Sequence, residues 1–158
     1  MPVLGTGDSG FESRRPDIMK VFVSYRFTGE SKDDLDNLLM PIKTALDGLG
    51  IDSYCNYFDT DLSVRAKDFA PQDYVFDAFS TLNKCQTLLV LIKSSDKSEG
   101  MILEVGYAIA KGIPVVVAVK DGVSGTYLPG MANKKIEWSN IDDLSQKIAN
   151  FNFDDLHS

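Results

Sequence analysis

Histidine occurs once in the 158 residues, as His157, and cysteine twice, as Cys55 and Cys85. A single histidine beside Asp154 and Asp155 near the end of the sequence argues against His-based catalysis. Two cysteines far apart form neither a CxxC pair nor zinc spacing, and Cys85 sits in an apolar setting that suits a buried thiol. No group of residues has metal-ligand spacing, so no metal and no cofactor are expected. A reduced, cytoplasmic protein is the expectation. No apolar run reaches the roughly 20 residues that span a bilayer, and the first residues lack the apolar segment of a secretory signal, so no membrane partner is expected. Cations are also in deficit. Lys and Arg number 16 against 23 Asp and Glu, a formal charge of −7, with a pI near 4.6. That balance disfavours a nucleic-acid polymer as partner and leaves room for a local basic pocket that takes a small anion.

What is present suits one globular domain, since 44% of the residues are apolar and a chain of this length buries a sizeable core. Residues 1–17 (MPVLGTGDSGFESRRPD) are rich in Gly, Ser, Pro and charge without periodicity, and read as a flexible leader to a single domain over 18–158. Ile18 to Tyr25 (IMKVFVSY) reads as a first buried strand. From Ser31 to Leu49 the apolar residues recur with a 3.6 period, an amphipathic helix in which Pro41 should produce a kink or a break near Met40. Ile51 to Cys55 reads as a short strand, and Asn56 to Ala70 as a long polar connection able to fold over a site. Pro71 suits the first turn of a helix to about Lys84.

Thr87 to Ile92 (TLLVLI) and Ile113 to Val119 (IPVVVAV) are near-continuous aliphatic runs, the pattern of parallel strands covered on both faces. An apolar helix over Met101 to Lys111 lies between them. A strand at Lys135 to Trp138 and a helix over Asn140 to Asn150 complete the order β-α-β-α-β-α-β-β-α. The expected fold is α/β, a doubly wound, flavodoxin- or Rossmann-like sheet of five mostly parallel strands with helices on both faces. Ligands of such sheets bind beyond the carboxyl ends of the strands.

That edge gathers Ser24 to Glu30, the loop from Asn56, and the segment Lys93 to Gly100. Glu104 follows on the next helix, a carboxylate bordering the apolar stripe of Met101, Val105, Ala108 and Ile109. One reading has it complement the helix dipole, worth roughly 0.3–1 kcal/mol. The other has it face a polar ligand, because an unpartnered burial would be costly. Ser98 opens the helix and serves either as a plain cap or as part of an anion site. Tyr25 and Phe27 follow the first strand and can floor or edge a pocket, aromatic faces being suited to stacking on a nucleobase, while Phe27 is equally readable as core. Arg65 and Lys67 either close over an anion or are simply solvated.

The run Ser98-x-Gly100-x-x-x-Glu104-x-Gly106-Tyr107-Ala108, followed by Gly112-Ile113-Pro114-Val115, resembles the signature of the nucleoside 2-deoxyribosyltransferase superfamily, which includes nucleoside 5'-monophosphate N-glycosidases. The resemblance implies that Glu104 is the nucleophile at the anomeric carbon, and that Gly100 and Ser98 contact substrate. Serine at position 98 tends to accompany nucleotide-hydrolysing members. Ser24 and Arg26 match two places of the Gly-Ser-x-Arg-Gly-Gly loop of monophosphate hydrolases, while Val23, Phe27 and Thr28 replace its glycines. Asp77 is nearest to an aspartate that assists the base or sugar, one residue out of register, and is equally readable as a solvated helix acid. The resemblance further implies a small nucleoside or nucleotide as partner and a homodimer, with Tyr127, Leu128 and Met131 of the stretch Ser124 to Met131 suited to a subunit contact if exposed. Two other readings stand beside it. Lys20 to Glu30 (KVFVSYRFTGE) also resembles the opening of Toll/interleukin-1 receptor domains, which signal or assemble and in some cases cleave NAD. The third is a nucleotide-binding module without catalysis.

Overall fold

Every side chain of the strand Thr87–Ile92 is buried, and its residues divide by parity between two cores. Leu89 and Leu91 join one cluster, while Leu88, Val90 and Ile92 join the other. This is the period-two alternation of a strand covered on both faces. The computed structural model describes residues 18–96 and 98–157; the expected leader over 1–17 lies outside them. The strands are β1 (Lys20–Ser24), β2 (Asp52–Tyr54), β3 (Thr87–Ile92), β4 (Val115–Lys120) and β5 (Lys134–Trp138). They form one sheet in the order β2-β1-β3-β4-β5, and all four pairings are parallel.

The helices are α1 (Lys32–Gly48), the short α2 (Leu62–Arg65), α3 (Pro71–Leu82), α4 (Glu99–Ala110) and α5 (Ile141–Ala149). α1 packs with α5, and α3 with α4. Leu35, Leu39 and Ile42 of α1 meet Leu144 and Ile148 of α5 in the first core, whereas Leu82 of α3 and Val105 of α4 enter the second. The helices thus cover both faces, as expected.

Local chemistry sets the helix ends. The Ser31 hydroxyl accepts from the Asp34 amide at 3.1 Å, and Asp33 and Asp34 occupy the first turn of α1, where acids complement the dipole. α4 closes at Gly112, whose φ of 71° lets Ile113 N reach back to Ala108 O at 2.8 Å. A left-handed residue at that place favours glycine.

Of the kink or break expected at Pro41, the break is corrected. Pro41 does not split α1, which runs unbroken from Lys32 to Gly48. The carbonyl deprived of a partner by Pro41 belongs to Asn37, an exposed residue at the solvent face of the helix, where the loss of one helical bond is tolerated. The polar connection after β2 is partly regular. It contains a 3-10 turn at Asn56–Phe58 and α2.

Candidate active site

The order β2-β1-β3-β4-β5 reverses direction between β1 and β3, and the crevice at that switch lies beyond their carboxyl ends. Ser24 is the last residue of β1 and is 2% exposed. Its hydroxyl donates to Glu104 Oε1 at 2.6 Å. Glu104 sits in the first half of α4, which leaves β3 across the same crevice. Burial pushes its carboxyl up to about 7, and the Ser24 hydrogen bond opposes that shift. Desolvation of the charged form outweighs one hydroxyl donor.

Glu104 faces a cleft of about 170 Å³. Phe22, Tyr54, Val75 and Ala78 make its apolar walls, and Asn56, Asp77, Gly100 and Glu104 its polar ones. The rings of Phe22 and Tyr54 are 5.3 Å apart and tilted by 38°. Tyr54 Oη donates to Asp59 Oδ2 at 2.8 Å. The same Asp59 oxygen accepts from Arg65 Nη2 at 2.9 Å, and Arg65 also binds Asp77 through Nε to Oδ1 and Nη2 to Oδ2, both at 2.9 Å. A planar guanidinium forked onto a carboxylate is the strong form of the pair. Arg65 holds the Asp59 carboxyl below the usual range, and the acids in turn raise the guanidinium, Asp77 foremost.

Next to the cleft, Tyr25 Oη donates to Asn56 Oδ1 at 2.6 Å. Burial raises the Tyr25 phenol, with Cys55, Tyr57 and Glu104 adding to the effect. Burial likewise pushes the Cys55 thiol up to about 12 and Cys85 to about 11. Neither sulfur is a thiolate nucleophile at neutral pH. Among the described residues no group of three or more His, Cys, Asp or Glu side chains is placed to hold a metal ion.

The residues singled out from the sequence separate into two groups. Glu104, Gly100 and Asp77 line one cleft, with Ser24 bonded to Glu104 and Tyr25 one hydrogen bond behind Asn56. Ser98, Arg26 and Phe27 line neighbouring hollows instead. Ser98 caps α4, its Oγ accepting from Met101 N at 3.3 Å. Arg26 Nη1 donates to Glu30 Oε2 at 2.8 Å and lies 3.7 Å from Asp96, while Lys93 pairs with the other Glu30 oxygen. Gly29, at φ 82°, lies over that guanidinium, and a Cβ there would come within 3.0 Å of Arg26 Nη2. Phe27 is 64% exposed. In the stretch from Ser124, Tyr127 and Met131 are exposed and Leu128 is buried, which removes Leu128 from any subunit contact made by that loop as it stands.

Tyr54, Asn56 and Glu30 carry parts of this arrangement that the sequence reading did not single out. The signal was available for the first two, since they close β2 and follow it at the same carboxyl edge as Ser24. Glu30 had only its spacing of four residues from Arg26.

No described helix is long and apolar enough to cross a membrane. No protein-family model matches the sequence, and no curated protein matches it. Solved structures do resemble it. A conserved protein from Enterococcus faecalis superposes with a TM-score of 0.64 at 17% identity, covering 83% of this chain and 97% of that one. A CMP N-glycosidase from Clostridium botulinum gives 0.62 at 16% identity, over 82% and 96%. A 2-deoxyribosyltransferase from Bacillus psychrosaccharolyticus gives 0.63 at 16% identity, over 87% and 95%. At such identities the likeness is one of fold alone, and this chain shares its fold with these three structures over more than four fifths of its length.

Proposed function

We propose that the protein cleaves the N-glycosidic bond of a nucleoside or nucleoside 5'-monophosphate, with Glu104 as nucleophile. One observation carries this reading: a half-buried carboxylate, steadied by Ser24 at 2.6 Å, faces a cleft at the switch point of the sheet. A Glu104 oxygen attacks the anomeric carbon as the carbon–nitrogen bond breaks, and the electron pair leaves on the base, which takes up a proton. Water then attacks the same carbon and frees the sugar and Glu104, its spare proton balancing the one taken by the base; a second base in place of water gives transfer. Oxocarbenium character in the transition state favours the ionised carboxylate beside it.

The cleft is smaller than the ~300–1,000 Å³ usual for drug-sized ligands. It fits the reacting sugar and part of the base, with the remainder at the open mouth. The sequence reading favours hydrolysis of a monophosphate, with phosphate at the α4 N-terminus near Ser98. Ser98 Oγ accepts from Met101 N and keeps its own proton for such an anion. Arg26 is already compensated by Glu30. The reading as a signalling or assembly module is not favoured by the structures this fold resembles.

The direct test incubates the protein with nucleosides, deoxynucleosides and their 5'-monophosphates and measures free base by chromatography. Base release by the wild type and at least a hundredfold loss in Glu104→Gln are expected. Undiminished release by that variant would refute the assignment of the nucleophile.

A further inference from the structure

Asn56 follows β2, and Glu104 lies on α4 beyond β3, so β1 stands between their strands in the sheet. Both line the same cleft, with the apolar side chains of Phe22, Tyr54 and Ala78 completing its walls. A planar ring suits those walls. The orientation of the Asn56 amide is set from outside the cleft. Tyr25 Oη donates to its Oδ1 at 2.6 Å, and Tyr25 is not among the residues lining the cleft. The phenol keeps its proton, because burial and the neighbouring Cys55, Tyr57 and Glu104 all oppose ionisation. It therefore acts as a donor, and the amide carbonyl is the acceptor it meets. The Nδ2 group carries two donors, and no described residue accepts from it. Of the other polar side chains lining the cleft, all but the half-exposed Tyr74 are engaged. Asp77 is gripped by Arg65, the Tyr54 hydroxyl is given to Asp59, and Glu104 is bonded by Ser24.

We propose that Asn56 is the residue that reads the departing base, its Nδ2 amide donating to a carbonyl oxygen or unprotonated ring nitrogen of the nucleobase, and that Tyr25 is the positioning residue that turns the amide that way. The inference rests on the proposed glycosidic reaction and adds what that reading lacks, a group on the base side of the bond. The electron pair of the broken bond ends on the base, so a donor held there is worth more in the transition state than in the ground state. The chemical class follows: a nucleoside whose base presents an acceptor near its glycosidic nitrogen.

The test compares wild type with Asn56→Asp, which keeps the shape of the side chain and replaces its amide donors by an acceptor at neutral pH. One substrate is an ordinary purine nucleoside; the other is methylated at a ring nitrogen, so that its base departs neutral. The variant should lose about tenfold or more in kcat on the first, the size of a lost hydrogen bond to a charge-bearing group, and clearly less on the second. Equal losses on both, or none, overturn the proposal. A second readout uses unaltered protein: the ¹⁵N-labelled side-chain amide of Asn56 should shift when nucleoside saturates the cleft. A silent Asn56 signal while the Gly100 amide moves overturns the inference and leaves the glycosidic reading standing. If no cleft resonance moves with any nucleoside or nucleotide and no base is released, the reaction itself is refuted, and the role of Asn56 with it.

Discussion

Arg65 grips Asp77 through two parallel hydrogen bonds of 2.9 Å, joining the segment after β2 to helix α3. The same guanidinium holds Asp59, which takes the hydroxyl of Tyr54 from the wall of the cleft. Arg65→Lys cannot reproduce the fork, since an ammonium offers no planar pair of donors. The expected result is a loss of about 1 kcal/mol or less in global stability, because the arginine is partly exposed. The larger effect is local, with faster hydrogen exchange of amides over 56–70. Exchange of that segment unchanged from wild type would show that other contacts hold it.

The Glu104 carboxyl has a clear pH signature. Its value of about 7 lies above the usual 4.5, so both states are neutral below that lower value and burial carries no penalty there. As pH rises from 4.5 to 7 the unfolded carboxyl ionises while the folded one resists, and native stability falls. Above 7 the penalty is constant, of order 3 kcal/mol if the whole shift is realised. Glu104→Gln should therefore be more stable than wild type at pH 8 and about equal to it at pH 4. Unfolding in urea at the two pH values measures this. A difference of the same size at both would mean that the carboxyl is not perturbed. Activity runs the other way, kcat/KM rising through an apparent pKa near 7 as the nucleophile ionises.

How much of this was legible beforehand follows from the range of each interaction. The β3 and β4 runs and the amphipathic face of α1 are local patterns, and each recurs in the structure, β4 beginning two residues later than its aliphatic run. Glu104 at the ligand edge follows from element order alone. The bond from Ser24 to Glu104 spans 80 residues, and nothing in either neighbourhood announces it. The same is true of Lys93 on Glu30, which depends on β1 and β3 being adjacent in the sheet. Asp77 illustrates the remaining gap. Its place on a helix followed from Pro71 opening one that runs to about Lys84, but Arg65, which occupies it, lies in a segment whose polar composition carries no pattern.

Ser24→Ala removes the hydroxyl that favours the ionised form of Glu104, leaving burial unopposed. The carboxyl should then titrate above 7, and the rising limb of the pH–rate profile should move to higher pH while the plateau at alkaline pH falls less. The measurement is kcat/KM for base release from pH 5 to 9. A profile that keeps its midpoint while dropping uniformly would assign Ser24 a structural role only.

Ser98 has a structural duty and a proposed ligand duty, and two substitutions separate them. Its Oγ accepts from Met101 N, so Ser98→Ala should cost about 1 kcal/mol through the lost cap. Ser98→Asp preserves the cap and adds a negative charge at the place where a 5'-phosphate would bind, so stability should stay near wild type. Repulsion then falls on the phosphorylated substrate alone. The KM for a nucleoside 5'-monophosphate should rise about tenfold or more, an added like-charge contact at short range being worth at least 1.4 kcal/mol in a partly buried site. The KM for the matching nucleoside should hardly change. Parallel changes for both substrates would take the phosphate away from α4 and leave Ser98 as a cap, in which case the unphosphorylated nucleoside becomes the substrate that this cleft favours.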